Sequence, residues 1–176
     1  MAEDWFREVW CSHGRAIVSY CAYSTGSKTD AEDVASDVFL ALLERASVRG
    51  IPENVEAWLY AVARNRCASY HRATGRQLRL LSRLEGPPQS PGDVSIWNDV
   101  ELWAAMRALD ERSRMVVYLR LFEDRSFPDI SRLLGRKESA VKMTYYRALD
   151  RIRKSIKPAR SGNVSTASSG GVQSVE

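Results

Sequence analysis

The sequence has few of the residues that metal centres and disulfide scaffolds need. Its 176 residues include three cysteines, at positions 11, 21 and 67, and two histidines, and it contains no CxxC pair. A disulfide framework pairs an even number of cysteines, and a structural zinc site needs three or four ligands brought together. We therefore expect no metal and no cofactor, and we expect the protein to reside in a reducing cytoplasm.

Long apolar runs and the motifs of common enzyme sites are also missing. The longest apolar run covers residues 57–63, whereas a membrane helix needs about 20 apolar residues, and the acidic start MAEDWFREVW does not resemble a signal peptide. The sequence lacks a GxxxxGK phosphate loop, an HExxH pair and a GxSxG elbow. We therefore expect no membrane insertion and no enzymatic activity, with a nuclease as the least favoured alternative.

Charge is distributed unevenly along the chain. The net charge is only +4, but residues 1–63 carry five basic and ten acidic side chains. In contrast, residues 64–84 carry six basic and no acidic side chains, and residues 137–160 carry eight basic and two acidic ones. Two separate basic blocks predict contacts with two stretches of nucleic acid. The alternative is a pair of ordinary basic helix ends.

Proline and glycine indicate where the chain divides. Three of the six prolines fall within residues 87–91, in the stretch EGPPQSPGD, which cannot continue a helix. No alternating strand pattern is visible, so the sequence predicts an all-α fold with two small helical domains joined by a flexible linker. A Ser- and Gly-rich end is predicted to be disordered. The predicted boundaries are 1–84, 85–97 (linker), 98–157 and 158–176 (tail).

The helix predicted for TDAEDVASDVFLALLERA has two different faces. Thr29 and Glu32 predict a capping box at its start. The residues at core spacing are Ala31, Val34, Ala35, Val38 and Leu42. The opposite face carries Asp30, Asp33, Ser36, Asp37, Leu40 and Glu44. Such an acidic surface with an apolar centre suits a basic partner helix, and a simple solvated face is the alternative.

The next predicted helix, ENVEAWLYAVARNRCASYHRA, changes from apolar to basic along its length. Asn54 is expected to cap it, and the core stripe is Leu59, Ala63, Cys67 and Tyr70. Asn65, Ser69 and Arg72 follow at i, i+4 and i+7, so their side chains project side by side. This row is rich in donors and lacks carboxylates, which suits phosphates and exposed bases. A basic helix C-terminus is the alternative.

The C-terminal half predicts a helix-turn-helix. After helices near residues 99–109 and 111–122, Ser126 and Asp129 resemble a capping box for FPDISRLLG, and Gly135 supplies a tight exit. The basic helix KESAVKMTYYRALDRIRKSI follows at the spacing of a DNA-reading motif. Its inward residues are Val141, Tyr145, Ala148 and Ile152. Its outward residues are Ser139, Lys142, Met143, Tyr146 and Arg147. A generic helical hairpin is the alternative.

Three ordered blocks carry a resemblance to a known family. They read DAEDVASDVFLALLE, AWLYAVARNRCASY and LDERSRMVVYLRLFEDRSFPDISRLLGRKESAVKMTYYRAL, and with the linker they account for nearly all of residues 5–157. The chain resembles the extracytoplasmic-function group of bacterial sigma factors, the promoter-recognition subunits of RNA polymerase. The resemblance implies binding to core RNA polymerase and to promoter DNA, which the protein helps to melt. An anti-sigma factor is a further candidate partner.

The resemblance assigns a role to each block. The residues implied in binding core polymerase are Asp33, Ser36, Asp37 and Leu40. Those implied at the minus-ten element are Arg49, Asn54, Asn65, Ser69 and Arg72, with residues 49–54 at the rim of a pocket for a flipped base. Those implied at the minus-thirty-five element are Arg136, Lys137, Ser139, Lys142, Met143, Tyr146, Arg147 and Arg151.

The sequence departs from the family pattern at several positions. Ser36 stands where glutamine is common, and Ser47 and Val48 replace an aromatic pattern before the base-capturing loop. Arg136 and Lys137 replace an apolar residue and a serine cap, which predicts a poorly capped recognition helix. The leading hypothesis is a sigma factor. The alternative is a helix-turn-helix regulator that is not a polymerase subunit, but such a protein would not need an acidic docking face followed by a second basic helix.

Overall fold

The described part of the chain is helical throughout. A computed structural model describes residues 2–81 and 100–156, with side-chain environments for residues 4–75 and 104–156. Within these ranges there are seven α-helices and no strand: α1 (Ala2–Thr25), α2 (Lys28–Arg49), α3 (Val55–Leu81), α4 (Val100–Arg107), α5 (Glu111–Leu121), α6 (Phe127–Leu134) and α7 (Glu138–Ser155). The predicted all-α fold is confirmed. The predicted linker and tail lie outside the described residues.

Helices α1 to α3 form an N-terminal domain around a common core. The stripes predicted for α2 and α3 are buried, with Tyr70 only partly so. The sequence patterns did not single out α1, yet Ile17, Tyr20 and Cys21 on this helix are almost completely buried. Because apolar and aromatic residues on α1 recur at helical spacing, the helix closes the third side of this core.

Helix α2 begins at a different cap from the one predicted. The hydroxyl of Ser27 accepts a hydrogen bond from the backbone N–H of Asp30 at 3.3 Å, and Ser27 has the extended backbone of an N-cap. Thr29 already lies inside the first turn. The predicted capping box of Thr29 and Glu32 was therefore wrong by two residues.

Helices α4 to α7 form the C-terminal domain, with α5 at its centre. Residues 114–119 of α5 are all buried because helices pack around it on several sides. The predicted helix-turn-helix is present as α6 and α7. Ser126 caps α6 by accepting from the N–H of Asp129 at 3.2 Å, and Gly135 leaves the helix at a left-handed φ of 59°. Both features were predicted.

The two domains also pack directly on each other, which the sequence did not predict. Helix α5 contacts α1 and α3 as well as its own domain. The ring of Tyr118 lies 5.3 Å from that of Tyr20 and 5.0 Å from that of Tyr23, measured between centroids. The buried apolar residues of both domains consequently form one continuous core. No helix in the described ranges is long and apolar enough to cross a membrane.

Candidate polymerase-binding and nucleic-acid surfaces

The acidic face of α2 lies at the surface of the N-terminal domain. All four predicted polymerase-binding residues are exposed: Asp33, Ser36, Asp37 and Leu40. The Leu40 side chain is 56% exposed between carboxylates, whereas Val38 on the opposite side of the helix is completely buried. The hydroxyl of Ser36 donates to the carbonyl oxygen of Glu32 at 2.8 Å, so it is turned onto its own helix. The structure thus brings the predicted set onto one surface.

Two residues change the composition of this α2 face. Leu43 is exposed one turn beyond Leu40 and extends the apolar centre, a feature that its i+3 spacing could have indicated. Asp30, which was expected on the acidic face, instead accepts a hydrogen bond from the hydroxyl of Tyr70 at 2.8 Å. Burial and this carboxylate raise the pKa of Tyr70, so the phenol keeps its proton. Asp30 therefore serves the contact between α2 and α3.

The predicted minus-ten row lies on the exposed side of α3. Asn65, Ser69 and Arg72 are all exposed, and the Arg72 guanidinium donates to the Ser69 hydroxyl at 2.9 Å. Beside this row is an open cavity of about 320 Å³. Its lining residues are Arg64, Asn65 and Ala68 from α3 and Asp110, Glu111 and Arg112 from the start of α5. The C-terminal domain therefore borders the predicted minus-ten surface.

The loop between α2 and α3 is held by two local contacts. Gly50 has a φ of 78°, a conformation that favours glycine, and its carbonyl oxygen accepts a hydrogen bond from the Arg45 guanidinium. Asn54 accepts from the N–H of Ala57 at 2.9 Å, which confirms it as the cap of α3. Arg49 and Asn54 are both exposed at the two ends of this loop. The local fold fixes the loop while leaving its rim accessible.

Helix α7 directs its predicted reading face to solvent. Ser139, Lys142, Met143, Tyr146 and Arg147 are all exposed, whereas Val141, Ala148 and Ile152 are buried. Met143 and Tyr146 are 53% and 60% exposed. The Lys142 ammonium pairs with Glu138 at 2.6 Å, and this contact raises the pKa of Lys142. Tyr145, also predicted to face inward, is only partly buried against the core, and the other inward and outward residues lie as predicted.

A basic cleft lies between the start of α5 and α7. It has a volume of about 520 Å³, and its charged lining residues are Arg112, Arg136, Arg147, Arg151 and Lys154, with Asp110 and Asp150. Three of these cations were predicted site residues. Arg112 was missed because it belongs to another helix, and only the packing of α5 against α7 brings it to the cleft. At the N-terminus of α7, Lys137 makes no capping hydrogen bond, as expected from the sequence.

Two family models match this chain. Sigma-70 region 2 matches residues 10–77, and sigma-70 region 4 matches residues 99–152. The structure of the sigma factor RpoE from Bartonella quintana, solved in complex with the anti-sigma factor NepR, superposes with a TM-score of 0.60 at 19% identity. The alignment covers 88% of this chain and 98% of that one. This similarity supports the fold.

Curated relatives agree with these matches. The chain is 27% identical to the ECF RNA polymerase sigma factor BldN of Streptomyces coelicolor over 83% of its own length, but it spans only 58% of BldN. It is 27% identical to the RNA polymerase sigma factor YlaC of Bacillus subtilis over 90% of this chain and 93% of YlaC. It is 29% identical to the ECF sigma factor SigD of Mycobacterium tuberculosis, over 85% and 76% of the two chains. The chain belongs to the extracytoplasmic-function group of the sigma-70 family.

Proposed function

We propose that the protein binds core RNA polymerase through α2 and directs promoter-specific transcription initiation through α3 and α7. The observation that carries this proposal is the α3 row, an exposed line of Asn65, Ser69 and Arg72 free of carboxylates. It lies in the same domain as the acidic α2 face. One domain thus offers a surface for a basic protein partner and another for nucleic acid, which a conventional helix-turn-helix regulator does not require.

The α2 face suits a helical polymerase surface of complementary chemistry. Leu40 and Leu43 supply exposed apolar contact area, and Asp33 and Asp37 supply negative charge at its edge. A buried apolar centre with a charged rim is the usual arrangement of a protein interface. Since the Ser36 hydroxyl is bonded to its own helix, this small side chain does not extend toward a partner.

The α3 row suits the exposed bases of a melted minus-ten element. The short side chains of Asn65 and Ser69 can donate and accept hydrogen bonds at base edges, while Arg72 can contact a phosphate. Residues 49–54 connect α2 to the start of α3, with Arg49 and Asn54 exposed. Extruding a base from the stack costs a few kcal/mol, so contacts from this loop would offset that cost.

Helix α7 suits duplex DNA at the minus-thirty-five element. Its exposed N-terminal half would enter the major groove, where Arg147 can donate to guanine O6 and N7 and where Met143 and Tyr146 can contact thymine methyl groups. Ser139 and Lys142 lie on the same face. Arg136, Lys137 and Arg151 suit the phosphates that flank the groove.

The proposed activity consists of binding and melting without a covalent step, and it takes place in the cytoplasm with the polymerase. An anti-sigma factor is a further proposed partner, since RpoE was solved with NepR. The proposed division places the polymerase and minus-ten domain within residues 1–84 and the minus-thirty-five domain within residues 98–157.

Reconstituted initiation with core polymerase and a promoter library tests this function. We expect Leu40→Ala to weaken core binding while leaving binding to single-stranded minus-ten DNA intact. We expect Asn65→Ala to retain core binding and to weaken promoter opening, so each variant is the control for the other. Absence of promoter-dependent initiation by the folded wild type would overturn the proposal, and equal loss of both activities in both variants would indicate misfolding instead.

The reading role of α7 has its own test. Arg147→Ala should cost about 1–3 kcal/mol of binding at one base position if the side chain reads guanine. Lys154→Ala is the matched control, since this cation lines the same cleft but lies two turns further along the helix. Binding measured on a library of minus-thirty-five sequences distinguishes the two roles. A uniform loss over all sequences for Arg147→Ala would make it a phosphate contact.

A further inference from the structure

Apolar side chains lie in the middle of the exposed face of α7. Ser139, Met143 and Tyr146 follow one another at i, i+4 and i+7, so they form one stripe along the helix. Met143 and Tyr146 are both more than half exposed, and they are neighbours on the helix surface because they are three positions apart. Single exposed apolar side chains are common on proteins. Here two of them adjoin, and they give the centre of the stripe an apolar contact area.

The ring of Tyr146 is held in place by two other aromatic rings. Its centroid lies 5.4 Å from that of Tyr145 and 6.2 Å from that of Phe127, with angles of 70° and 46° between the ring planes. The rings of Phe127 and Tyr145 are themselves 5.4 Å apart, and both residues pack against the core. Contacts between aromatic rings at these distances stabilise their relative orientation. The Tyr146 ring is therefore fixed in direction although more than half of it is exposed.

The cation next to Met143 is engaged on the other side of the stripe. The Lys142 ammonium pairs with the Glu138 carboxylate at 2.6 Å and lies 5.7 Å from the centre of the Phe127 ring. The Arg120 guanidinium lies 5.6 Å from the centre of the same ring. Both distances are those of cation–π contacts. Because Lys142 is drawn toward Glu138 and Phe127, the surface formed by Met143 and Tyr146 stays apolar.

The major groove of DNA presents an apolar group to such a surface only at certain bases. Thymine carries a methyl group at C5, whereas the other three bases present hydrogen-bonding atoms there and no methyl group. A cytosine that is methylated at C5 carries the same group at the same position as thymine. An apolar side chain is stabilised by removing either methyl group from water. The thioether of Met143 and the ring of Tyr146 therefore suit the methyl group itself, whichever pyrimidine carries it.

The size of the apolar pair limits how many bases it can contact. Side chains three positions apart on a helix have Cβ atoms about 5–6 Å apart, and successive bases of one strand are about 3.4 Å apart along the axis. Met143 and Tyr146 therefore span one or two base steps. Ser139 and Arg147 lie at the two ends of the pair, where their polar groups can bond to base edges or phosphates.

Resting on the proposed function of α7, we propose that Met143 and Tyr146 recognise the C5 methyl groups of pyrimidines at one or two neighbouring positions of the minus-thirty-five element. Thymine supplies the methyl group in unmodified DNA, and 5-methylcytosine supplies it where cytosine is methylated. The protein therefore has a further function, because methylation of cytosine at these positions strengthens its binding. Its choice of promoter responds to the modification state of the DNA as well as to the sequence.

Promoter fragments with bases changed only in the minus-thirty-five element test the proposal. The full chain is assembled with core polymerase, and the sequence that it binds best is selected from a library of that element. Each thymine is then replaced singly by deoxyuridine, which removes only the methyl group, and also by cytosine and by 5-methylcytosine. We expect deoxyuridine to lower the affinity about fourfold at one or two positions, the factor that corresponds to one buried CH₂ group. At those positions 5-methylcytosine should bind about fourfold more tightly than cytosine.

Two variants assign the effect to the side chains. Met143→Gln replaces the thioether by an amide of similar length, and Tyr146→Ala removes the ring. Both side chains are exposed, so neither change removes a core residue. Each variant should lose the methyl effect at one position. Leu121→Gln is the matched control, because it makes the same apolar-to-amide change on α5 at a side chain that is 52% exposed, against 53% for Met143. It should keep the full methyl effect.

Three results would overturn the recognition of methyl groups. The first is equal affinity for thymine and deoxyuridine at every position, and the second is a selected element without thymine on either strand. The third is a deoxyuridine effect of the same size in the wild type, Met143→Gln and Tyr146→Ala, which would assign it to the shape of the DNA. Failure of the proposed function would appear differently, as a wild type that prefers no minus-thirty-five sequence, and it would also remove the basis of this proposal.

Discussion

The two domains fill their interiors with different chemistry. The N-terminal domain buries Leu42, Leu59 and Cys67 completely, in a core of apolar and aromatic side chains. At the centre of the C-terminal domain, α5 buries Arg114, the one charged side chain among the described residues that is buried. Because Arg114 bonds both to the end of α4 and to the N-terminal domain, the C-terminal domain depends on a cation that also makes the domain contact. Its stability and its docking are therefore coupled.

Replacing Arg114 should have the largest effect on the stability of the protein. Arg114→Met keeps the unbranched stem but removes the guanidinium's hydrogen bonds to the Glu111 carboxylate and to the carbonyl oxygens of Arg107 and Leu109. Breaking a buried ion pair by removing one partner costs about 3–5 kcal/mol. Urea unfolding should show a loss of this size, with no comparable loss for Arg112→Met, which removes an exposed arginine two residues earlier. Equal effects of the two changes would mean that Arg114 contributes only its apolar stem.

A cavity in the N-terminal core should have the next largest effect. Leu59 is completely buried, so Leu59→Ala should destabilise the protein by about 2–5 kcal/mol. Since the buried residues of both domains form one continuous core, we expect one cooperative transition that shifts as a whole. Leu119→Ala, equally buried on α5, is the C-terminal counterpart. Two separate transitions, each sensitive to only one substitution, would indicate that the domains unfold independently.

Lowering the pH should weaken the contact between the two domains. Burial lowers the pKa of His71, as does the Arg114 guanidinium, while Glu111 opposes them. The other groups around the ring are Ser24, Arg107 and Tyr70. When the domains separate, His71 regains an ordinary histidine pKa of about 6.5, so the separated domains bind the proton more readily than the packed ones. The contribution of His71 to the domain contact is therefore fully present above that pH and is lost as the pH falls.

Energy transfer between a dye on the exposed Cys11 of α1 and a dye on Ser155→Cys, at the exposed end of α7, measures this dependence from pH 7.5 to 5.5, since Cys21 and Cys67 are buried. The signal should fall as the solution becomes acidic. His71→Gln, which cannot take up the proton, should show a flat profile over the same range. His13 is present in both proteins and so serves as an internal control. The same decrease in both proteins would assign the effect to other groups.

Helical periodicity predicted the individual helices well, but it did not predict the contact between the two domains. The inward stripe of α7 and the caps at Asn54 and Ser126 depend on residues close in sequence, and these were predicted correctly. The cap of α2 was misplaced because serine and threonine at neighbouring positions compete for that role. The bond between Ser24 and Glu111 joins residues 87 positions apart. Side chains that are polar in sequence and buried only by docking leave no periodic apolar signal.

The domains also differ in how their helices are capped at the N-terminus, and this difference should have the smallest effect on stability. Helix α2 begins on Ser27, whose hydroxyl accepts an N–H, whereas α7 begins on Lys137, which makes no such bond. Introducing a hydroxyl with Lys137→Ser should stabilise the C-terminal domain by about 0.5–1 kcal/mol. Thermal unfolding measures the gain, and Lys137→Ala separates the effect of the new cap from that of the lost charge.

The same substitution should weaken DNA binding, because Lys137 is proposed to contact a phosphate. Affinity should fall uniformly over all minus-thirty-five sequences, and the slope of log affinity against log salt should become shallower by about 1. Lys137→Ser would then be more stable but bind less tightly, whereas Lys137→Ala would lose affinity without gaining stability. If Lys137→Ser gained stability while its affinity for DNA stayed constant, Lys137 would not be a DNA contact. The poor cap would then have no compensation in DNA binding.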